Sequence, residues 1–199
     1  MSAPLHLDPE ALPSSLTWSH PVSDAQLEAL QAANNVFRLE RTRRGALRVN
    51  PPTELATSDA NAEIIYQLRA WWKTHRKGLV ADSNAGFYLS DGSMLSPDAA
   101  YLTEKTVAGF STGNARGIPH LCPDFVIELL SRSDRLQETQ QKMDDWLANG
   151  VQLGWLLDPY RQRVLVYEPG GSPVTADGPY RGPIEGFVLD LTEVWQCYR

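Results

Sequence analysis

Apolar positions recur along this chain with two spacings, one near 3.6 residues and one of two, and the switches between them outline its elements. Ile64, Ile65, Leu68, Trp71 and Trp72 share one helical face, with Ser58 or Asp59 as the cap and Gly78 as the stop. Leu136, Met143, Trp146 and Leu147 draw a second stripe, capped at Ser133 and ending before Gly150. Ser23 caps a shorter helix marked by Leu27 and Leu30, which ends near Asn34 and Asn35. Residues 192–198 predict a short terminal helix.

Between the helices the pattern is that of strands. Residues 36–42 and 46–50 form a hairpin across Arg43-Arg44-Gly45, after which Pro51-Pro52 breaks the pairing. Residues 79–82 and 87–89 follow, and Asp91-Gly92 turns the chain toward Ser96-Pro97-Asp98 and a strand over 99–102. Phe125-Val126-Ile127-Glu128-Leu129-Leu130 reads as a central strand covered on both faces. Residues 151–158 form another buried strand, 163–168 alternate cleanly, and 187–191 suggest a last strand. Residues 103–121 form a loop long enough to lie over a site. Residues 1–22 read as an extended, proline-containing arm, and 23–199 as a single domain.

Two acids interrupt this pattern. Glu128 sits inside a buried run, and Asp98 starts the strand just before it in the chain. A buried carboxylate is costly unless something positive meets it. If the two strands are neighbours about 4.8 Å apart, Asp98 and Glu128 can reach one cation, and a hard cation such as Mg²⁺ takes oxygen ligands of this kind. Asp124 shares a face with Glu128 but lies about 13 Å along the strand, so it is read as a strand-entry residue. Lys142 borders the helical stripe that follows, and its long stem can lie on apolar surface while the ammonium reaches the acids. A plain buried pair between Glu128 and Lys142 or an arginine is the alternative. Glu63 is either a first-turn acid or a third acid at the edge of the metal site.

Composition narrows the classes. The chain has 199 residues, 42% hydrophobic and 21% charged, as expected of an ordinary globular protein. No apolar run approaches the roughly 20 residues of a membrane span. Residues 1–8 lack the regions of a signal peptide, and Cys122 and Cys197 form neither a disulfide framework nor a zinc signature. Cytoplasmic localisation is the expectation. The net charge of −6 argues against general nucleic-acid affinity, but Arg38, Arg41, Arg43, Arg44 and Arg48 crowd one hairpin, as Lys73, His75, Arg76 and Lys77 crowd one helix end. Each is either a solvated group or a set of phosphate contacts. The chain has no phosphate-cradling glycine loop, no serine- or cysteine-nucleophile motif, and four scattered histidines.

Taken together, Arg38-Leu39-Glu40-Arg41, Pro51-Pro52-Thr53, Asn61-Ala62-Glu63-Ile64, Ser96-Pro97-Asp98-Ala99-Ala100, Cys122-Pro123-Asp124-Phe125-Val126-Ile127-Glu128-Leu129, Gln141-Lys142-Met143, Asn149-Gly150-Val151 and Gly154-Trp155-Leu156-Leu157-Asp158-Pro159 resemble the Uma-two family of restriction endonuclease-like proteins. The resemblance covers roughly residues 23–195. It places the chain in the PD-(D/E)XK nuclease superfamily and implies a mixed α/β fold, a mixed sheet flanked by helices. It also implies an endonuclease acting on DNA with Mg²⁺, or Mn²⁺ in its place. Asp98 would match the acid of the Pro-Asp motif, Glu128 the second acid, and Glu63 the acid of the first core helix. Asp98, Glu128 and the Leu129 carbonyl would hold the metal. Leu130 stands where the motif has its lysine, and Lys142 on the next helix would supply that group. Cutting both strands of a duplex would suit a homodimer. A non-catalytic nucleic-acid-binding module and an oligomerisation module on the same fold are the alternatives.

Overall fold

The computed structural model describes residues 15–16, 22–110, 117–176 and 183–199. The chain runs β1 (Ser15–Leu16), α1 (Asp24–Ala33), β2 (Arg38–Arg41), β3 (Leu47–Asn50), α2 (Leu55–His75), β4 (Leu79–Asp82), β5 (Phe87–Tyr88) and β6 (Met94–Leu95). It continues through β7 (Ala99–Leu102), α3 (Glu104–Ala108), β8 (Phe125–Leu129), α4 (Leu136–Ala148), β9 (Leu153–Asp158), β10 (Arg163–Tyr167), β11 (Val174–Thr175) and α5 (Leu191–Gln196). The fold is mixed α/β, with two sheets flanked by helices.

The larger sheet has the order β11-β10-β9-β8-β7-β4 and the smaller one β1-β3-β2-β6-β5. β8 and β9 are parallel, joined by the crossover helix α4, while β7 runs antiparallel to β8 with Ala99 opposite Ile127. This is the expected pairing of the two acid-bearing segments. Side chains of β8 alternate between two cores. Phe125, Ile127 and Leu129 pack with Ile64 and Leu68 of α2 and Trp195 of α5. Val126 packs on the other face with Met143 and Trp146 of α4 and with Leu95 and Phe87. Glu128 therefore points toward α4, on the face that also meets the smaller sheet.

Several elements depart from the sequence expectations. Helix α2 starts at Leu55, ahead of Ser58 and Asp59, because nothing after Pro52 opposes helical geometry; the side chain of its Glu54 cap makes no capping hydrogen bond. Arg76, in the left-handed region at φ 55°, closes the helix before Gly78. Gly78 is needed for another reason: at φ 69° a Cβ there would lie 2.1 Å from the Leu102 carbonyl oxygen. Helix α4 starts after Arg135, not Ser133. Residues 187–191 form no strand. Phe187 and Leu189 are buried and Val188 is 81% exposed, so the alternation is real, but it packs one side on the core without a partner ladder. Instead, the Asp190 N–H donates to the Gln67 side chain. The stretch 103–121 contains α3, capped by Thr103, while 111–116 fall outside the described residues. Of the expected arm, the described β1 pairs with β3. No described helix is long and apolar enough to cross a membrane.

Candidate functional site

The site is built where β7, β8 and the ends of β2 and β6 come together under α4. Asp98 extends the pairing of β7, because its N–H donates to the Ile127 carbonyl at 3.0 Å. The ladder itself begins one residue later, with Ala99 opposite Ile127. Asp98 thus sits at the irregular entry to β7, beside the Glu128–Leu129 end of β8. One oxygen of Asp98, Oδ2, accepts the Leu129 N–H at 2.8 Å. The other lies 4.0 Å from Arg38 Nη2. Glu128 is 3% exposed. Its carboxylate accepts from Trp146 Nε1 at 2.8 Å and from Lys142 Nζ at 3.0 Å.

Lys142 is no solvated helix-border residue; it is 7% exposed. Its ammonium donates to three oxygens, from Ser96 carbonyl at 2.7 Å, Glu40 at 2.8 Å and Glu128 at 3.0 Å. The three donors of an ammonium are thereby all used. Glu40 is the site residue that sequence reasoning left unplaced. It is 1% exposed, and its Oε1 also accepts the Ser96 N–H at 2.9 Å. The available signal was a single acid set among arginines on a strand whose other residues turn inward.

These groups open onto a cavity of about 810 Å³ whose lining includes Arg38, Glu40, Asn61, Asp98, Glu128 and Lys142. Leu129 and Ile118 line it as well, the latter from the long segment expected to cover the site. Glu63 does not: helix α2 presents Thr57 and Asn61 to the cavity. Glu63 instead accepts from Gln67 at 2.8 Å, and Gln67 in turn holds the backbone of Asp190. Asp124 sits at the entry of β8, where it accepts the Thr103 N–H at 2.7 Å.

The electrostatics separate the two acids that grip Lys142. Burial, with help from Asp98 and Glu40, pushes the Glu128 carboxyl up to about 7, and Lys142 offsets only part of this. Burial also works to raise Glu40, but Lys142 and Arg38 overcome it and hold its carboxyl below the usual range. Desolvation opposes the charge of Lys142, yet Glu128 and Glu40 leave its ammonium harder to deprotonate than a free lysine. Arg38 behaves alike, with Asp98 the foremost of its acidic neighbours. The cluster thus carries more acid than its two cations neutralise.

Among the described residues, no group of three or more His, Cys, Asp or Glu side chains is arranged to hold a metal ion. Mg²⁺ asks for less, since it is held by one or two carboxylates and retains several waters. Asp98 and Glu128, with the Leu129 carbonyl beside them, are hard oxygen donors of that kind. The under-compensated charge on Glu128 is what a cation would relieve.

The family model of Uma2, described as "Putative restriction endonuclease", matches residues 24–183. The chain belongs to this family. Uma2 membership takes in every residue of the cluster, from Arg38 and Glu40 to Lys142. A solved structure described as "a putative nuclease belonging to DUF820 from Anabaena variabilis ATCC 29413" is similar with a TM-score of 0.68 and 20% sequence identity. The match covers 80% of this chain and 90% of that one, and it establishes a shared fold. No curated protein matches this Uma2 chain significantly.

Proposed function

We propose that the protein is a Mg²⁺-dependent endonuclease that hydrolyses DNA phosphodiester bonds, with Mn²⁺ as a substitute ion and a homodimer as the unit that cuts both strands. The observation that carries this reading is the register of β7 on β8. It supports the reading by bringing Asp98, whose Oδ2 accepts the Leu129 N–H, and Glu128 to one cavity, with Lys142 Nζ 3.0 Å from Glu128.

In this mechanism Asp98, Glu128 and the Leu129 carbonyl would hold the ion. Mg²⁺, when bound, supplies Lewis-acid polarisation of a phosphoryl oxygen and makes water more acidic. Glu128, whose carboxyl burial pushes up to about 7, would serve as a ligand in its deprotonated form. Lys142 stays protonated and acts as a fixed positive charge rather than a general base, stabilising negative charge that develops on the phosphate. Glu40 and the Ser96 carbonyl hold the ammonium in place. Substrate or water gains a hydrogen bond from Lys142 by replacing one of its three present acceptors.

Plasmid cleavage with Mg²⁺ or Mn²⁺ tests the reading. In Asp98→Asn a carbonyl oxygen still accepts the Leu129 N–H, so folding is kept while a charge is lost. Cutting falls on the order of a hundredfold or more, with little change in melting temperature. No cutting of any DNA form by the native chain, or equal cutting by D98N, refutes it. One observation favours a second reading: all three donors of Lys142 are satisfied within the protein, as in a purely structural ion-pair network. Salt-sensitive DNA binding without cleavage would then be the result.

A further inference from the structure

Two residues that line the cavity each carry a buried side-chain atom with no hydrogen-bond partner among the described residues, Arg38 Nε and Asn61 Oδ1. Such atoms are uncommon, because leaving a buried donor or acceptor unpaired forfeits its hydration without replacement, the more so for a charged group. Arg38 is otherwise well anchored. Its Nη1 donates to the Ser83 carbonyl at 2.8 Å, and its Nη2 lies 4.0 Å from Asp98. The guanidinium plane is thus fixed from two sides while its Nε–H is left over. A guanidinium holds phosphate oxygens through such fixed, in-plane donors. Asn61 Oδ1 is the opposite kind of orphan, an acceptor, and phosphate oxygens offer it nothing. Water does.

We propose that Arg38 and Asn61 form the receiving subsite for a hydrated phosphodiester: the Arg38 Nε–H takes a non-bridging oxygen, and Asn61 Oδ1 holds a water that accompanies it. This rests on the nuclease reading and names the residues that position its substrate. It also assigns the contribution of α2 to the site to Asn61 in place of Glu63. The rival explanation of Arg38 is charge balance alone, since four acids, Asp98, Glu40, Glu128 and Asp134, act on it. Lysine would serve that purpose equally.

The experiment uses the full chain labelled with ¹⁵N-arginine, titrated with the dinucleotide thymidylyl-3′,5′-thymidine in Ca²⁺. The Nε–H resonance absent from Arg38→Lys is that of Arg38. It shifts on titration in the native protein, and R38K binds the dinucleotide roughly tenfold more weakly. Asn61→Leu, nearly isosteric and free of the orphan acceptor, melts at the same temperature or higher and also binds more weakly. An Arg38 Nε–H that stays unmoved at saturation overturns the proposal without reference to how any variant folds. So does binding by R38K and N61L equal to that of the native chain. In that event, loss of plasmid cutting in D98N still upholds the nuclease reading, and only the subsite falls. A native chain that binds no dinucleotide overturns the subsite as well.

Discussion

Two carboxylates are buried at the ends of neighbouring strands, and their surroundings are opposite. Asp158 closes β9 with no exposed surface. Its oxygens accept from the Arg161 N–H at 3.1 Å and from Arg161 Nη1 at 3.0 Å, and Arg163 Nε pairs with it at 3.3 Å. One acid thus has two cations, all within the β9–β10 turn, and it does not line the cavity. Glu128 closes the same kind of strand but shares its one lysine with Glu40 and has Asp98 as a neighbour. A surplus of cations around one acid serves a turn. A surplus of acids around one lysine, opening on a cavity, leaves negative charge for something else to neutralise, and perturbed groups of that sort concentrate where chemistry is done.

The largest expected effect follows from removing the shared cation. Lys142→Met leaves Glu40 and Glu128 buried with no ammonium between them. Breaking a buried pair in this way costs about 3–5 kcal/mol, because the remaining charge is uncompensated. Denaturant unfolding at pH 7 reads this as a lower midpoint, and cleavage is lost along with it. Adding Glu40→Gln to K142M restores part of the stability, since one stranded charge is removed. Cleavage stays absent in the double variant. A single variant as stable as the native chain would mean that Lys142 contributes no more than a surface residue.

The second effect is one of pH. Glu128 has a folded value of about 7 against an ordinary value of 4.5. Between these values the folded state holds more protons than the unfolded one, so stability falls as pH rises from about 4.5 to 7. The loss is on the order of a few kcal/mol across that window. Glu40, held low, acts in the other direction and only at more acid pH, where its protonation would lower stability. Glu128→Gln keeps an oxygen for Trp146 Nε1 and flattens the fall between 4.5 and 7. Unfolding curves of the native chain and E128Q across that range check it. Affinity for Mn²⁺ should rise over the same range in the native chain, as the ion displaces the proton.

Much of this site was legible because its parts lie on strong local patterns. The apolar run 125–130 announced β8, the Pro-Asp pair announced the start of β7, and the stripe of Met143 and Trp146 announced α4. Their order is compatible with β7 and β8 as neighbours, which the structure shows, with α4 as the crossover from β8 to β9. What escaped depended on long-range packing. Glu40 meets Ser96 across 56 positions of chain, and in sequence it is one more charge in an arginine-rich hairpin. Lys142 is one step off its helical stripe, so its burial is decided by the smaller sheet packed against that edge. The hairpin of that sheet and a strand at 87–89 were readable, but β6 is two residues long and its pairing with β2 and β5, which completes the sheet, left no period to read. The place of Glu63 was left open by the same limit. One turn of α2 carries Asn61 and Glu63 about 200° apart, and only the packed helix decides which of them meets the cavity.

The smallest effect sharpens the contrast between the two carboxylates. Arg161 is 60% exposed along its side chain and gives Asp158 one of its two cations. In Arg161→Ala the backbone N–H of residue 161 still donates to Asp158, and Arg163 still pairs with it. Because the Arg161 guanidinium is mostly solvated and Asp158 keeps two of its partners, the expected loss is about 1 kcal/mol, with cleavage unchanged. Equilibrium unfolding resolves it only beside K142M measured under the same conditions. The ratio of the two losses is the informative quantity. A cation removed from a cluster with cations to spare should cost several times less than one removed from a cluster that has too few. Equal losses would mean that burial alone, and not the balance of charge around each acid, sets the energetics of both sites.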